Sequence, residues 1–385
     1  MSTPRTETGV QVAGLETSFG SETVLRDVDL TVEPGEFCVL IGPSGSGKST
    51  VLKCIAGLLD IDDGRILVDG TDITDTPVNQ RDMGFVFQDF EETLFPHMTV
   101  AENVSFGLQQ SDQAYSAADI ESRVSEMLEL LAISETRDDT PEELSGGQQQ
   151  RVELARHLVR ECDVMLLDDP LADLDYKLQK RMELELRRIH ADSGGTYLYV
   201  THNQDQALSL ADKLVVINDG QIEQTGTPTE VYENPTNAFV GRFVGDSNLF
   251  ETNVADVSGT DVVAETPIGQ IDARAGHDGI EAGDEGVVLV RPENVLLGDD
   301  ATEATNRFEA TAENRIYTGE RTEFFASVAV DGTEQTVQSI YSGNVTLDGL
   351  TPGSSVQIGW NHADTVCYSQ LSSTGEVTVE ELEEL

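Results

Sequence analysis

The fold of this chain follows from Gly42-Pro43-Ser44-Gly45-Ser46-Gly47-Lys48-Ser49, a phosphate loop that fits the pattern G-x-x-x-x-G-K-[ST]. The apolar run 37–41 before it is typical of a buried strand, and residues 50–56 after it have the pattern of a helix start. In that context the glycines let backbone N–H groups surround phosphates, and the helix N-terminus adds partial positive charge. The pattern predicts that Lys48 reaches the β- and γ-phosphates of a nucleotide and that the Ser49 hydroxyl ligates Mg²⁺.

The composition is that of a strongly acidic chain of 385 residues, long enough for two or three domains. Its formal net charge is −48, from 71 acidic and 23 basic residues. Because Asp and Glu are spread from end to end, a single acidic tail does not explain the charge. We favour adaptation to molar salt, in which the Debye length is about 3 Å. The same charge disfavours direct binding to nucleic acid or anionic lipid.

The sequence predicts no targeting or membrane segment. Residues 1–9 are polar and lack the apolar core of a signal peptide. No run approaches the roughly 18 apolar residues of a membrane span, so we expect any membrane role to act through a partner. The four cysteines are far apart and have no metal-binding spacing, which favours buried reduced thiols in a cytosolic protein.

Residues 10–245 alternate short apolar strands with amphipathic helices, the pattern of an α/β domain. The predicted strands are Phe37–Ile41, Met83–Phe87, Val164–Leu167, Tyr197–Thr201 and Leu214–Ile217. The predicted helices are Asp119–Ala132, Gly147–Arg160 and Lys177–Ala191. Phosphate-binding loops lie at the carboxyl ends of the strands in such domains.

From residue 247 the helical pattern nearly disappears. Short runs rich in Val, Thr, Gly and Asp replace it, such as Gly286–Arg291, Phe324–Val330 and Ser354–Trp360. This succession of short runs predicts a small all-β domain of barrel type over residues 247–385. The junction between the two domains is expected within Gly241–Asn248.

Three further motifs follow the phosphate loop. The first is Leu144-Ser145-Gly146-Gly147-Gln148, which leads into a helix and offers a second anion site. A dimer in which each copy completes the nucleotide site of the other explains why one chain has two such sites. An apolar strand ends in Asp168, suited to orienting Mg²⁺, and Asp169, placed for an attacking water. His202, at the end of another strand, can contact the γ-phosphate and sense its loss.

These motifs, in this order, resemble the nucleotide-binding subunit of an ATP-binding cassette (ABC) transporter over residues 10 to about 245. The resemblance implies an α/β P-loop ATPase domain with a helical subdomain, followed here by a small all-β, OB-like barrel domain. Val290–Val295 resembles the R-P-E motif of the accessory TOBE domain, carried by importers for sugars, polyamines, ferric iron and oxyanions. Dimer support is the expected role of that domain, and binding of a small ligand or regulator stays open.

The resemblance implies a role for each motif. The residues implied to bind nucleotide are Phe19, which matches the aromatic that stacks on adenine, the Walker A residues Gly42, Pro43, Ser44, Gly45, Ser46, Gly47, Lys48, Ser49 and Thr50, and the signature residues Ser145, Gly147 and Gln148. The residues implied to support Mg²⁺ are Ser49, Gln88 of the Q-loop and Asp168 of Walker B. The residues implied to act in catalysis are Lys48, Gln88, Asp169 and His202, the switch histidine. Leu174-Asp175 matches the D-loop.

Two positions depart from the family pattern. Asp169 stands where the family normally has Glu, which shortens the reach by roughly 1.5 Å. Three consequences are open: the site hydrolyses ATP slowly, its residues shift to compensate, or Asp169 acts through an extra water. We expect ATPase activity to persist at a reduced rate, because Lys48, Mg²⁺ and the signature supply most of the electrostatic stabilisation. About two extra acidic residues between Gln88 and Leu94 are explained by a salt-adapted surface or by docking to one permease.

The predicted function is ATP hydrolysis that energises solute import, with ATP and Mg²⁺ as cofactors, at the cytoplasmic face of the cell membrane. The expected partners are a second copy in a head-to-tail ATP sandwich, transmembrane permease subunits and, indirectly, an extracellular solute-binding protein, but no nucleic acid. Pairing with a related ATPase instead of a second copy stays open.

The transported solute is less constrained by the sequence. A polyamine importer is favoured over importers of ferric iron, oxyanions or sugars by weak likenesses at Leu94–Met98, Asn218–Gly220, Ser247–Phe250 and Trp360. Two alternatives come from other classes: a soluble ABC protein of DNA repair or translation, and a regulatory subunit that binds ATP with little turnover.

Salt dependence tests the interpretation of the charge. On desalting, the chain is expected to lose secondary structure, because self-repulsion is no longer screened. Circular dichroism during dialysis from molar KCl into salt-free buffer measures this. A folded spectrum without salt would contradict salt adaptation.

Overall fold

A computed structural model of the chain describes residues 9–87, 94–109, 115–159, 162–172, 174–330, 332–347, 350–373 and 377–383. By its internal contacts the chain divides into two compact units, residues 1–228 and 229–385. The boundary predicted from composition, between residues 245 and 247, lies inside the second unit and stays a prediction. None of the helices in the described ranges is long and apolar enough to cross a membrane.

The first unit contains both strands and helices. Its strands are β1 Val10–Phe19, β2 Glu22–Val32, β3 Phe37–Ile41, β4 Asp63–Val68, β5 Thr71–Asp72, β6 Met83–Val86, β7 Val164–Asp168, β8 Thr196–Val200, β9 Lys213–Asn218 and β10 Gln221–Gly226. Its helices are α1 Lys48–Ala56, α2 Val100–Gln109, α3 Ala117–Leu130, α4 Gly146–Leu158, α5 Tyr176–Ser193 and α6 Gln204–Leu210. A further helix, α7 Pro228–Glu233, crosses the boundary between the units.

A largely parallel sheet carries the predicted motifs. Its strand order is β10-β9-β3-β8-β7-β6, and only the β10–β9 pair among these neighbours is antiparallel. Strands β3, β7 and β8 are buried along their whole length, as apolar strands of a parallel sheet covered on both faces are. Because parallel strands end at one edge of the sheet, the loops that follow these three strands meet there. The α/β class predicted from the sequence is confirmed.

A second, antiparallel sheet in the first unit has the order β2-β1-β4-β5. Its residues Leu15 and Leu25 share one buried cluster with Leu52 of α1 and Leu40 of β3. This core anchors α1, whose N-terminus follows the phosphate loop. Helices α2, α3 and α4 lie between β6 and β7 in the chain, as expected for the helical subdomain.

The second unit is β-rich. Its strands are β11 Asn248–Ser258, β12 Asp261–Thr266, β13 Gly269–Ala275, β14 Glu285–Val290, β15 Leu296–Leu297, β16 Asn306–Tyr317, β17 Arg321–Val330, β18 Thr333–Ser342, β19 Ser355–Trp360 and β20 Thr365–Tyr368. Its further helices are α8 Ala238–Phe243 and α9 Val379–Glu383. Strands β11-β12-β13-β20-β14 close into a barrel, which confirms the predicted barrel-type domain. A further sheet has the order β15-β19-β16-β17-β18, and both share a core in which Trp360 stacks on Phe250 and Phe308.

The R-P-E motif joins the barrel to the chain segment before it. The buried guanidinium of Arg291 donates to the backbone oxygens of Gly241, Gly245 and Asp246 and to the Ser247 hydroxyl, at 2.6–3.1 Å. It also lies 4.2 Å from the centre of the Tyr232 ring. In this unit the motif therefore holds residues 232–247 against the end of β14, a structural role.

Candidate active site

The phosphate loop connects the end of β3 to the start of α1, and packing requires two of its glycines, Gly42 and Gly47. A Cβ at Gly42 would lie 2.0 Å from the Ile217 backbone oxygen. Gly47 has a φ of 97°, and a Cβ there would lie 2.6 Å from Leu25. Ser44 and Gly45 form the exposed tip of the loop, while Ser46 is buried. The loop can therefore adopt the close backbone curvature that phosphate binding by N–H groups needs.

Lys48 lies under the loop, with its side chain mostly buried. Its Nζ donates to the backbone oxygens of Gly42 and Pro43 at 2.8 and 2.6 Å, and contacts the Ser46 hydroxyl at 3.3 Å. Burial lowers the pKa of Lys48, and the nearby carboxylates of Asp169 and Asp168 oppose that shift. The ammonium is thus held at the phosphate loop by oxygens that phosphate oxygens can replace.

Ser49 and Asp168 bring two oxygen ligands together. The Ser49 hydroxyl donates to Asp168 Oδ1 at 2.6 Å. Burial raises the pKa of Asp168, and the Ser49 hydrogen bond acts against this shift. A hydroxyl and a carboxylate at hydrogen-bond distance, one from the helix and one from a strand end, form the donor set of a hard, oxygen-preferring cation such as Mg²⁺. The residues present therefore fit the predicted metal.

Asp169 begins the turn after β7 in an unusual backbone conformation, with a φ of 46°. Its N–H donates to the Val200 oxygen at 2.9 Å, which fixes the turn against β8. One carboxylate oxygen, Oδ2, lies 2.6 Å from Nδ1 of His202. The other, Oδ1, accepts a hydrogen bond from the Thr201 hydroxyl at 3.1 Å. Two of the predicted catalytic residues, Asp169 and His202, are thus directly paired.

The signature serine and glutamine are paired with each other. Ser145 precedes α4, and both its N–H and its hydroxyl donate to Gln148 Oε1 at 2.9 Å. Ser145 and Gln148 form a capping box, in which the side chain of each residue accepts a hydrogen bond from the backbone N–H of the other. A Cβ at Gly147 would meet no atom within 4 Å, so this face of the helix start is open.

Phe19 is the last residue of β1, and it is 53% exposed. A large aromatic ring at that exposure does not serve the core, so it is available to stack on a flat ligand. Thr50 lies in the first turn of α1 and is half-buried. Gln88 and the extra acidic residues that follow it lie outside the described residues.

The sequence pattern places Thr201 at the end of a strand and does not predict its contact with Asp169. The signal that could have identified it is a hydroxyl residue directly before a strand-end histidine, next to a strand that ends in two carboxylates. Gln206 was also missed: its Oε1 accepts from the Tyr199 hydroxyl at 3.0 Å and lies 3.1 Å from Thr201 Oγ1.

Two protein-family models match the chain. The model described as ABC transporter matches residues 25–172, and the model described as TOBE domain matches residues 288–367. These matches cover the phosphate loop, the signature and Asp168–Asp169 in the first unit, and the R-P-E motif in the second.

Curated relatives match most of the chain. A protein of Haemophilus influenzae named spermidine/putrescine import ATP-binding protein PotA is 37% identical over 353 residues, which are 91% of this chain and 94% of the relative. A protein of the same name from Aliivibrio fischeri is 42% identical over 302 residues, covering 78% of this chain and 80% of the relative.

Solved structures match the ATPase part of the chain. The dimeric structure of an ATP-binding cassette in a post-hydrolysis state, bound to ADP and phosphate, is 30% identical with a TM-score of 0.52. The alignment covers 57% of this chain and 98% of that one. A structure of an ATP-binding subunit of an ABC transporter has the same TM-score at 25% identity, and covers 58% of this chain and 91% of that one.

The exposed ring of Phe19 is open to a direct test of base stacking. Phe19→Ala is expected to weaken ATP binding by about 1–3 kcal/mol, about 5- to 150-fold in Kd, because aromatic–base stacking contributes that much. Titration with a fluorescent ATP analogue in molar KCl measures this, and Phe19→Trp should bind as the unchanged chain does. Val78→Ala, which truncates another exposed apolar residue, is the matched control. An unchanged Kd for Phe19→Ala would show that the ring does not contact the base.

Proposed function

Because this chain belongs to the ABC transporter family of ATP-binding proteins, we propose that it hydrolyses ATP to energise the import of polyamines through a membrane permease. The observation that carries the ATPase part is the meeting of Lys48, Ser49, Asp168, Asp169 and His202 at one edge of the parallel sheet. The names of its relatives support the polyamine class. The proposed ATPase domain spans residues 10–245, and the proposed accessory domain spans residues 247–385.

In this proposal, binding begins at the phosphate loop. Lys48 and the N–H groups of residues 42–49 bind the β- and γ-phosphates, and Phe19 stacks on the adenine. Ser49, Asp168 and Gln88 hold Mg²⁺, which when bound neutralises charge that develops on the transferred phosphoryl group.

The proposed hydrolytic residues are Asp169 and His202. Asp169 orients the attacking water with one carboxylate oxygen. His202, whose side chain is 69% exposed, can leave Asp169 and contact the γ-phosphate. Since this histidine pairs with the carboxylate or with the phosphate, its position reports whether the γ-phosphate is present.

The proposed assembly is a head-to-tail dimer of two copies. Ser145, Gly147 and Gln148 of one copy close over the nucleotide of the other, and the open face at Gly147 is compatible with that approach. A dimeric solved cassette of 30% identity supports the arrangement. The permease subunits contact the segment from Gln88 to His97 at the cytoplasmic face of the membrane, and an extracellular solute-binding protein delivers the polyamine to them.

Loss of Lys48 tests the ATPase assignment. Lys48→Ala is expected to abolish ATP turnover in molar KCl, because it removes the buried cation that pairs with the phosphates. Lys213→Ala is the control. Lys213 is the first residue of β9, at the end of the strands away from the phosphate loop, and it pairs with Glu36. Turnover should therefore persist in this variant. Unchanged turnover in Lys48→Ala would overturn the assignment.

Uptake of radiolabelled spermidine tests the transport part. Cells that carry Lys48→Ala in the chromosomal copy are expected to lose uptake relative to cells with the unchanged gene or with Lys213→Ala. Unchanged uptake, in cells whose purified variant lacks ATPase activity, would exclude polyamines as the substrate and leave ferric iron, oxyanions and sugars to test with the same strains.

A further inference from the structure

The two partners of the Asp169 carboxylate differ in their freedom to move. Thr201, which donates to Oδ1, is fully buried at 0% exposure. His202, which pairs with Oδ2, has a side chain that is 69% exposed. A ligand that enters the site can therefore displace His202 from Asp169, whereas the buried side chain of Thr201 stays in place.

The Thr201 hydroxyl has one proton and two acceptors within reach, because Asp169 Oδ1 and Gln206 Oε1 both lie 3.1 Å away. A charged carboxylate accepts a hydrogen bond about twice as strong as a neutral amide oxygen does. Gln206 Oε1 also accepts from the Tyr199 hydroxyl. The proton therefore goes to Asp169.

The lone pairs of the same hydroxyl are also used. Thr201 Oγ1 accepts from the Asn203 N–H at 3.1 Å, and Asn203 in turn caps α6. The hydrogen bond from the Asn203 N–H, directly before α6, thus orients the hydroxyl, and the proton of the hydroxyl is directed toward Asp169.

We propose that Thr201 is the positioning residue for hydrolysis: it holds Oδ1 of Asp169 in place, so that Oδ2 is the oxygen that exchanges His202 for the attacking water. This inference rests on the proposed role of Asp169 in orienting that water. Thr201 itself does not touch the substrate.

The short side chain of Asp169 makes this anchor necessary. Its carboxylate is close to the backbone, and it reaches Thr201 and His202 at the same time. A glutamate at this position reaches roughly 1.5 Å further, so its carboxylate passes Thr201 and no longer depends on it. Thr201 therefore compensates for the missing methylene, and its contribution is specific to aspartate at this position.

The first test removes the hydroxyl while keeping the shape of the side chain. Thr201→Val is expected to lower kcat by about 10- to 100-fold, because displacing a reacting group by about 1 Å costs up to about 100-fold in rate. The KM for ATP should change by less than about twofold, because Thr201 does not touch the substrate. Thr201→Ser, which keeps the hydroxyl, should retain most of the activity. The ATP-induced dimer, followed by size-exclusion chromatography, should persist longer in Thr201→Val, since slower hydrolysis delays its opening.

The matched control is Thr196→Val, the same change at the first residue of β8, the strand that Thr201 follows. Thr196 begins β8, is buried, and accepts from the Gly35 N–H at 2.9 Å, far from Asp169. It should lose stability as Thr201→Val does but keep kcat. If both variants lose activity equally, the effect is one of stability and the proposal is overturned.

The second test combines Thr201→Val with Asp169→Glu. The kcat of Asp169→Glu alone, measured under the same conditions, is the reference for this background. In that background, Thr201→Val should change kcat by less than about threefold, because the longer side chain no longer uses the anchor. An equal loss in both backgrounds, or unchanged kcat of Thr201→Val in the aspartate chain, overturns the role of Thr201 alone. An unmodified chain without ATPase activity would instead overturn the proposed function.

Discussion

The parallel pairing of β3, β8 and β7 is the constraint on which the candidate site depends. Val200 of β8 lies opposite Leu40 of β3 on one side and Asp168 of β7 on the other. The three strands therefore end at nearly the same level, although more than 100 residues separate the first from the other two. A shift of one residue in either pairing would turn Asp168 or the phosphate loop away from the shared edge.

This constraint also sets the electrostatics of the site. Lys48, Asp168 and Asp169 are nearly buried, and they lie where apolar strands end. Charges in such a place are costly unless they are hydrogen-bonded or paired; all three are hydrogen-bonded, and Asp169 also pairs with His202. Salt screens exposed charges much more than buried ones. In strong salt, the repulsion between surface charges of this chain is therefore screened. The hydrogen bonds of Lys48, Asp168 and Asp169 keep their strength, because these groups are buried.

The sequence predicted the elements better than the contacts between them. The predicted β3, Phe37–Ile41, agrees with the structure residue for residue, because an apolar run between a charged residue and a glycine has clear ends. Helix α3 begins two residues before its predicted start, since the capping box of Ser116 and Asp119 sets its first turn. The pairing of Thr201 with Asp169 was not predicted, because it depends on how the turns after two strands face each other.

The signature has a second sequence pattern besides that of an anion site. Ser145 and Gln148 have the S-x-x-Q spacing of a capping box, and both donors of Ser145 are in fact held by the Gln148 side chain. Capping and anion binding compete for the same hydroxyl, because a hydroxyl has a single proton to donate.

That competition extends to the whole site. Lys48, Ser49 and Ser145 each donate a hydrogen bond to a partner within the chain. A phosphate group that binds here exchanges hydrogen bonds instead of adding them, and such an exchange gains little when both partners are neutral. The gain comes from the charge of the phosphate oxygens, which strengthens each exchanged bond. A site of this kind therefore selects its ligand by the negative charge of the ligand's oxygens.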